Sequence, residues 1–342
     1  KKLDATKHLK IIHTGYTRKI VDQKNKSSRN LTLLLKELQN NPKSSNLCFY
    51  IAEAYIIAND FDAAIDYAFR VFKYRNGTLL GLYQKNYLNI LFSMMARGYP
   101  LDDIKHAARQ AIAEYPDFPD YHFYLGDIYR QEGRLNDAIY EYQMGLQNID
   151  KGINYQSRAP FNMNKVLMIL GDLYYKLGQF AKTTKYLIEV LKADIYEFST
   201  LNKLIKLFSR HERDEDIYLF LKKLYDYENP KDLLLLLKAS LKANNGRLAE
   251  YYYKLLYDNQ YVDLGSESAH IKFLNRNYAD AALEYLKLYL ANNKTGHAFK
   301  CIVSSVLIGD DQRLNEIYEK SQPSWKRIID KELKREVEIM PD

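Results

Sequence analysis

A spacing that recurs along the chain limits what it can fold into more than any other feature. In "DYHFYLGDIYRQEGRLNDAIYEYQMGL", residues 120–146, the pair Leu125 and Gly126 is followed by Tyr129, Ala138 and Tyr142, with Gly145 at the next small position. "VLMILGDLYYKLGQFAKTTKYLIEVL" repeats Leu170, Gly171, Tyr174, Gly178 and Phe180, with Thr183 in place of the alanine. "NLCFYIAEAYIIANDFDAAIDYAFRVF" repeats Ala52, Tyr55, Phe61, Ala64 and Ala68, with alanine where the other copies have the first glycine. Such self-similarity marks a chain that stacks paired helices instead of wrapping one core. The physical demand is close packing of two antiparallel helices: Gly126 and Ala138 let the backbones approach, and Leu125, Tyr129 and Tyr142 fill the interior.

The offsets resemble the tetratricopeptide repeat, whose period is about 34 residues. Ala52 and Gly126 are separated by two periods and a small insertion, so a degenerate repeat is expected over residues 80–116. "LNILFSMMARGYPLDDIKHAARQAIAEYP" supplies it, with Pro116 where a repeat commonly ends. Gly126 and Gly171 are further apart than one period. "NIDKGINYQSRAPF", residues 148–161, therefore reads as an inserted loop, punctuated by Gly152, Ser157 and Pro160. Past residue 194 the helical period persists while the signature fades, as in "NNGRLAEYYYKLLYDN" and "NRNYADAALEYLKLYLANN". The last segment places Trp325, Ile328, Ile329, Leu333 and Val337 on one face, as a helix that closes a stack of repeats requires. The expected fold is all-α, an α-α superhelix with a short β-like N-terminal segment. Its expected divisions are 1–30, 31–194 for the clear repeats and 195–342 for the degenerate ones and the closing helix.

Composition agrees and excludes several classes. At 342 residues with 47% hydrophobic content, 8 prolines and 14 glycines, the chain is ordered and exceeds a single ordinary core. No apolar run is long enough to span a membrane and no secretory leader is legible, so the expected location is cytoplasmic. Cys48 and Cys301 have no partner spacing and read as buried small hydrophobes. The net charge of +7 is concentrated in residues 1–43, where eleven Lys or Arg stand against Asp4, Asp22 and Glu37. The neutral remainder lacks the basic stripe of a nucleic-acid binder.

A search for chemistry is mostly negative. There is no Gly-rich phosphate loop, no G-x-S-x-G, no H-E-x-x-H and no paired Cys motif. His106 and His122 fall within repeat helices. The string Asp214-Glu215-Asp216 could hold a metal, but in "RHERDEDIYLFLKKLY" the acids open a helix and complement its dipole. No metal site and no cofactor are expected in this chain.

The first residues differ in character. "LKIIHTGY", then "KNKSSRNLTLLLKEL", then a proline and the first repeat, resemble a junction in bacterial family 2 glycosyltransferases, where an α/β domain precedes helical repeats. The enzymes that glycosylate bacteriocin peptides at cysteine are members of that group. His13, Gly15 and Tyr16, then Lys24, Lys26, Arg29 and Asn30, carry the resemblance. It implies that residues 1–30 end a catalytic domain absent from this sequence, with His13 near the metal and diphosphate. It also implies a nucleotide sugar and a divalent metal, Mn or Mg, as cofactors of the parent enzyme. This chain alone is then expected to show no transferase activity.

Two functions remain open on these grounds. One is the repeat domain of such an enzyme, serving acceptor binding or oligomerisation; the other is a free-standing adaptor for a peptide. The expected partners are a peptide or protein acceptor and a second copy of the chain, with no nucleic acid and no membrane. In tetratricopeptide arrays the first helix of each repeat lines a concave groove. Alignment on Ala52, Gly126 and Gly171 gives an acidic column of Glu53, Asp127 and Asp172, an apolar column of Phe49, Phe123 and Met168, and a mixed column of Ile56, Arg130 and Tyr175. Such a groove favours an extended peptide with cationic and apolar side chains.

Overall fold

The computed structural model describes residues 26–152, 157, 159–258, 265–320, 326–327 and 329–330. Among these residues there are eighteen helices and no strand, the all-α repeat fold expected from the spacing. The β-like segment with His13 and Lys24 lies outside the described residues, as do Trp325, Ile328, Leu333 and Val337 of the closing segment. Ile329 is buried in the last apolar cluster. The chain divides into two compact units, one ending at Leu173 and one beginning at Tyr174.

In the first unit α1 (Lys26–Asn40) precedes three hairpins: α2 (Ser45–Ile57) with α3 (Phe61–Tyr74), α4 (Leu82–Arg97) with α5 (Leu101–Glu114), and α6 (Pro119–Gln131) with α7 (Leu135–Gln147). The short α8 (Ile149–Gly152) and then α9 (Ala159–Lys176) follow, and α9 pairs in sequence with α10 (Phe180–Ala193). The second unit continues with α11 (Phe198–Phe208), α12 (Asp214–Leu221), α13 (Pro230–Lys242), α14 (Gly246–Asp258), α15 (Gly265–Leu274), α16 (Tyr278–Asn292), α17 (Thr295–Ile308) and α18 (Asp311–Lys320). The degenerate repeat expected over 80–116 is the hairpin of α4 and α5. Within the stretch expected as a loop, 148–161, residues 149–152 form α8, while 153–156 and 158 lie outside the described residues. Ile149 is buried, Asn148 donates to the Pro116 carbonyl at 3.3 Å, and α9 already begins at Ala159, since a proline in the first turn of a helix sacrifices no hydrogen bond.

One device recurs in seven of the hairpins and shows that the fading signature still encodes repeats. Each first helix ends in a left-handed residue: Asn59, Gly98, Gly133, Gly178, Asn244, Arg276 and Gly309, with φ between +59° and +75°. The next N–H then reaches back five residues, as from Asp60 to the Tyr55 carbonyl, Arg134 to Tyr129, Gln179 to Tyr174 and Asn277 to Lys272, each at 2.9 Å. This is the Schellman arrangement, which satisfies helix-end carbonyls and turns the chain back on itself. Glycine and asparagine tolerate the conformation; arginine does not. Replacing Arg276 by glycine is therefore expected to stabilise the second unit by about 0.5–1 kcal/mol, measured by urea denaturation. An unchanged or lower midpoint would count against strain at this turn.

Small residues sit where the spacing places them. A Cβ on Gly126 would lie 2.9 Å from the ring of Tyr142, and one on Gly145 would lie 2.4 Å from the ring of Phe123. Buried side chains then tie hairpin to hairpin: the Tyr121 hydroxyl donates to the Gln84 carbonyl at 2.8 Å, and the Asn86 amide to the Ala68 carbonyl at 2.8 Å. The second unit repeats the tactic with the Asn202 amide on the Ala239 carbonyl at 3.1 Å and the Tyr225 hydroxyl on the Ile195 carbonyl at 2.7 Å. Cys48 and Cys301 are free and fully buried, and burial pushes the Cys301 thiol up to about 11. Among the described residues no helix is long and apolar enough to cross a membrane.

Candidate functional site

The first helices of successive hairpins line one continuous groove in the first unit. Two cavities of about 530 and 480 Å³ share Phe92, Asp120, Tyr124 and Asn162 as common walls. The first is closed by Glu53, Ile56 and Ile57 from α2 and by Lys85 and Asn89 from α4. The second is closed by Phe123 and Asp127 from α6, Tyr142 from α7, and Lys165 and Ile169 from α9. Phe92 and Ile57 present 45% and 63% of their surfaces to solvent, an exposure of apolar side chains that packing within the unit does not explain.

The polar groups of the groove are held in place by neighbours. The Asp127 Oδ1 accepts the Tyr142 hydroxyl at 2.7 Å and the Arg130 guanidinium at 3.0 Å. Burial, followed by that carboxylate, drives the Tyr142 phenol far above its ordinary range, so it remains a donor. Asp120 lies in the first turn of α6, where the helix dipole favours a carboxylate, and it accepts the Ser157 hydroxyl. The Ser157 oxygen in turn accepts the Ala159 N–H at 3.0 Å, so the groove wall and the start of α9 are fixed together. The amide nitrogen of Asn89 is buried without a hydrogen-bond partner.

Of the residues chosen from sequence, Glu53, Ile56, Phe123 and Asp127 come together in this groove. Phe49 is 4% exposed and packs with Cys48, Val71 and Leu82 in the core. Arg130 is exposed and pairs with Asp127 instead of lining the cavities. Met168 and the exposed Asp172 lie on α9 outside the two cavities' walls, and Tyr175 belongs to the second unit, where its hydroxyl accepts from Arg210 at 2.6 Å. Sequence reasoning missed Lys85, Asn89, Phe92 and Tyr124. The only signal available for the α4 residues was the degenerate repeat, in which no Leu-Gly pair fixes the register.

The acidic string at the start of α12 is engaged in structure. Asp214 accepts from the Asn245 amide at 2.7 Å, and Arg213 pairs with Asp216 at 2.9 Å, holding that carboxyl below its usual range. Glu215 accepts from the Tyr251 hydroxyl at 3.3 Å. His122 Nδ1 lies 2.7 Å from Glu141, and His106 is exposed. Among the described residues no group of three or more His, Cys, Asp or Glu could hold a metal ion.

An all-α stack of helical hairpins with a groove along the first helices of its first unit defines a helical-repeat protein. Residues 105–152 match the tetratricopeptide repeat family. Among solved structures, the chain is similar to the C-terminal part of a TPR repeat-containing protein from Cytophaga hutchinsonii, at 12% identity over 90% of this chain and 96% of that one, with a TM-score of 0.45. It is also similar to a tetratricopeptide repeat protein from Parabacteroides merdae, at 17% identity over 73% and 97% of the two chains, TM-score 0.36. Pseudomonas aeruginosa PilF is similar at 13% identity over 64% and 91%, TM-score 0.40. No curated protein matches the chain.

Proposed function

We propose that the groove of the first unit binds an extended segment of a partner protein that carries apolar side chains with interspersed cationic ones. The continuous apolar trough around Phe92 carries this reading, and its acidic walls, Glu53, Asp120 and Asp127, set the sign of the preferred charge. Lys85 and Lys165 temper that preference, so apolar contacts supply most of the affinity. Apolar burial gives attraction without direction, while the carboxylates fix register and exclude acidic segments.

We further propose that the chain does this as the non-catalytic repeat region of a family 2 glycosyltransferase, holding the acceptor peptide. The resemblance of His13, Gly15, Tyr16, Arg29 and Asn30 to that junction supports the assignment, and a free-standing adaptor would use the groove in the same way. A nucleotide sugar and Mn or Mg would then serve the parent enzyme and not the repeats. Sequencing the gene on the 5′ side of Lys1 decides the parentage: an α/β domain bearing a metal-binding acidic motif supports it, and an unrelated sequence refutes it.

The groove reading is tested by calorimetry of the full chain with an unstructured peptide of Lys and Leu among Gly and Ser. Phe92→Ala is expected to weaken binding about tenfold, and Asp127→Asn to weaken it less while flattening its salt dependence. Equal affinity in wild type and Phe92→Ala would move the partner site elsewhere.

A further inference from the structure

The second unit carries a groove of opposite character. Two cavities of about 270 and 500 Å³ share Leu241 of α13 and His270 of α15. Lys238 and Lys242 line the larger one, while His297 and Lys300 of α17 and Tyr285 of α16 line the smaller. One acid, Glu267, faces three ammonium groups here, and among the described residues Lys238, Lys242 and Lys300 have no carboxylate within ion-pair distance. Elsewhere in this unit lysines do find acids, as Lys254 does with Glu250 at 2.9 Å.

Four further features distinguish this face from an ordinary solvated lysine surface. The Tyr285 side chain is 1% exposed and its hydroxyl has no hydrogen-bond partner, an unmade bond in the wall of the smaller cavity. Lys300 lies with its side-chain nitrogen 5.3 Å from the centre of the Tyr285 ring, and burial lowers its affinity for a proton. The N-terminus of α17, beside Gly296, has no side-chain cap, and a Cβ at Gly296 would meet nothing within 4 Å. His270 is held at about 4 by burial and then by Lys300, against Glu267, so at neutral pH it is an uncharged imidazole. An imidazole, a phenol, an ammonium group and helix N–H groups together form a donor set with too few acceptors.

We propose that this face of the second unit binds an acidic extended segment of a partner protein, whose carboxylates meet Lys238, Lys242 and Lys300. Charge complementarity selects that occupant, because a carboxylate-bearing segment supplies the acceptors that the cavity walls lack. The chain then has two grooves with opposite preferences, each able to hold its own segment.

Fluorescence anisotropy of the full chain with a labelled glutamate-rich peptide tests the proposal. Lys238→Glu with Lys242→Glu is expected to weaken binding about tenfold, while Lys222→Glu with Lys223→Glu, the same charge change on exposed positions of the same unit, leaves it within about twofold. Tyr285→Phe is expected to weaken binding without lowering the melting temperature, because it deletes a hydroxyl that has no partner in the unliganded fold. Equal weakening by the two lysine pairs, an absence of binding, or tighter binding of an oligouridylate of equal charge would each overturn it.

Discussion

Substituting alanine for Tyr252 is expected to cost about 3–5 kcal/mol, the largest loss from any single change considered, because it removes a ring from the centre of the second unit's core. The side chain is fully buried, packed against Tyr218 at 5.9 Å and edge-on to Tyr227 at 5.5 Å between ring centres. The Tyr227 hydroxyl donates its one proton to the Tyr218 carbonyl at 2.7 Å, so the 3.0 Å contact between the two hydroxyls is a bond donated by Tyr252. Tyr252→Phe deletes only that bond and should cost about 1 kcal/mol, since Tyr227 keeps its own acceptor. Urea denaturation followed by circular dichroism separates the two. A loss below about 1 kcal/mol for the alanine variant would mean that this core yields to the cavity.

In the first unit, Gly145→Ala is expected to destabilise by about 1–3 kcal/mol although alanine gains about 1 kcal/mol over glycine in helix propensity. The added Cβ would stand 2.4 and 2.6 Å from ring carbons of Phe123 and 3.1 Å from the Pro119 carbonyl oxygen. Phe123 is itself 8% exposed and borders the groove, so its ring cannot move without disturbing the wall. Pairing the change with Phe123→Leu should recover part of the loss, a coupling above about 0.5 kcal/mol in a double-mutant cycle. Strict additivity of the two losses would show that the close approach is not what the glycine provides.

These two sites also show how much of the molecule can be read from sequence. Gly126 and Gly145 are legible because close packing of helices leaves no room for a Cβ, a demand that recurs at the repeat's spacing. The hairpin turns are legible where the left-handed residue is Gly133 or Gly178. They are obscured where the same turn is made by Asn59, Asn244 or Arg276, because the conformation and not the residue type recurs. The groove is half legible. One position after each anchor the helix has rotated by about 100°, which carries Glu53 and Asp127 from the helix contact to the groove. Three positions before the anchor the helix has turned to about 60° from it, a position at the border of core and groove: Phe49 is buried with Cys48 and Val71, while Phe123 still borders the trough. Phe92 was hidden because α4 offers no small-residue pair on which to fix that count.

The claim that the first unit's groove is the binding face is tested most directly by photo-crosslinking the full chain to the Lys- and Leu-bearing peptide. A photoreactive phenylalanine is placed either at Phe92, in the trough, or at Tyr140, which is 59% exposed on α7 and lines neither cavity of the groove. The account expects a peptide adduct from position 92, suppressed by excess unlabelled peptide, and none from position 140. Adducts from position 140 alone, or equally from both, would contradict it.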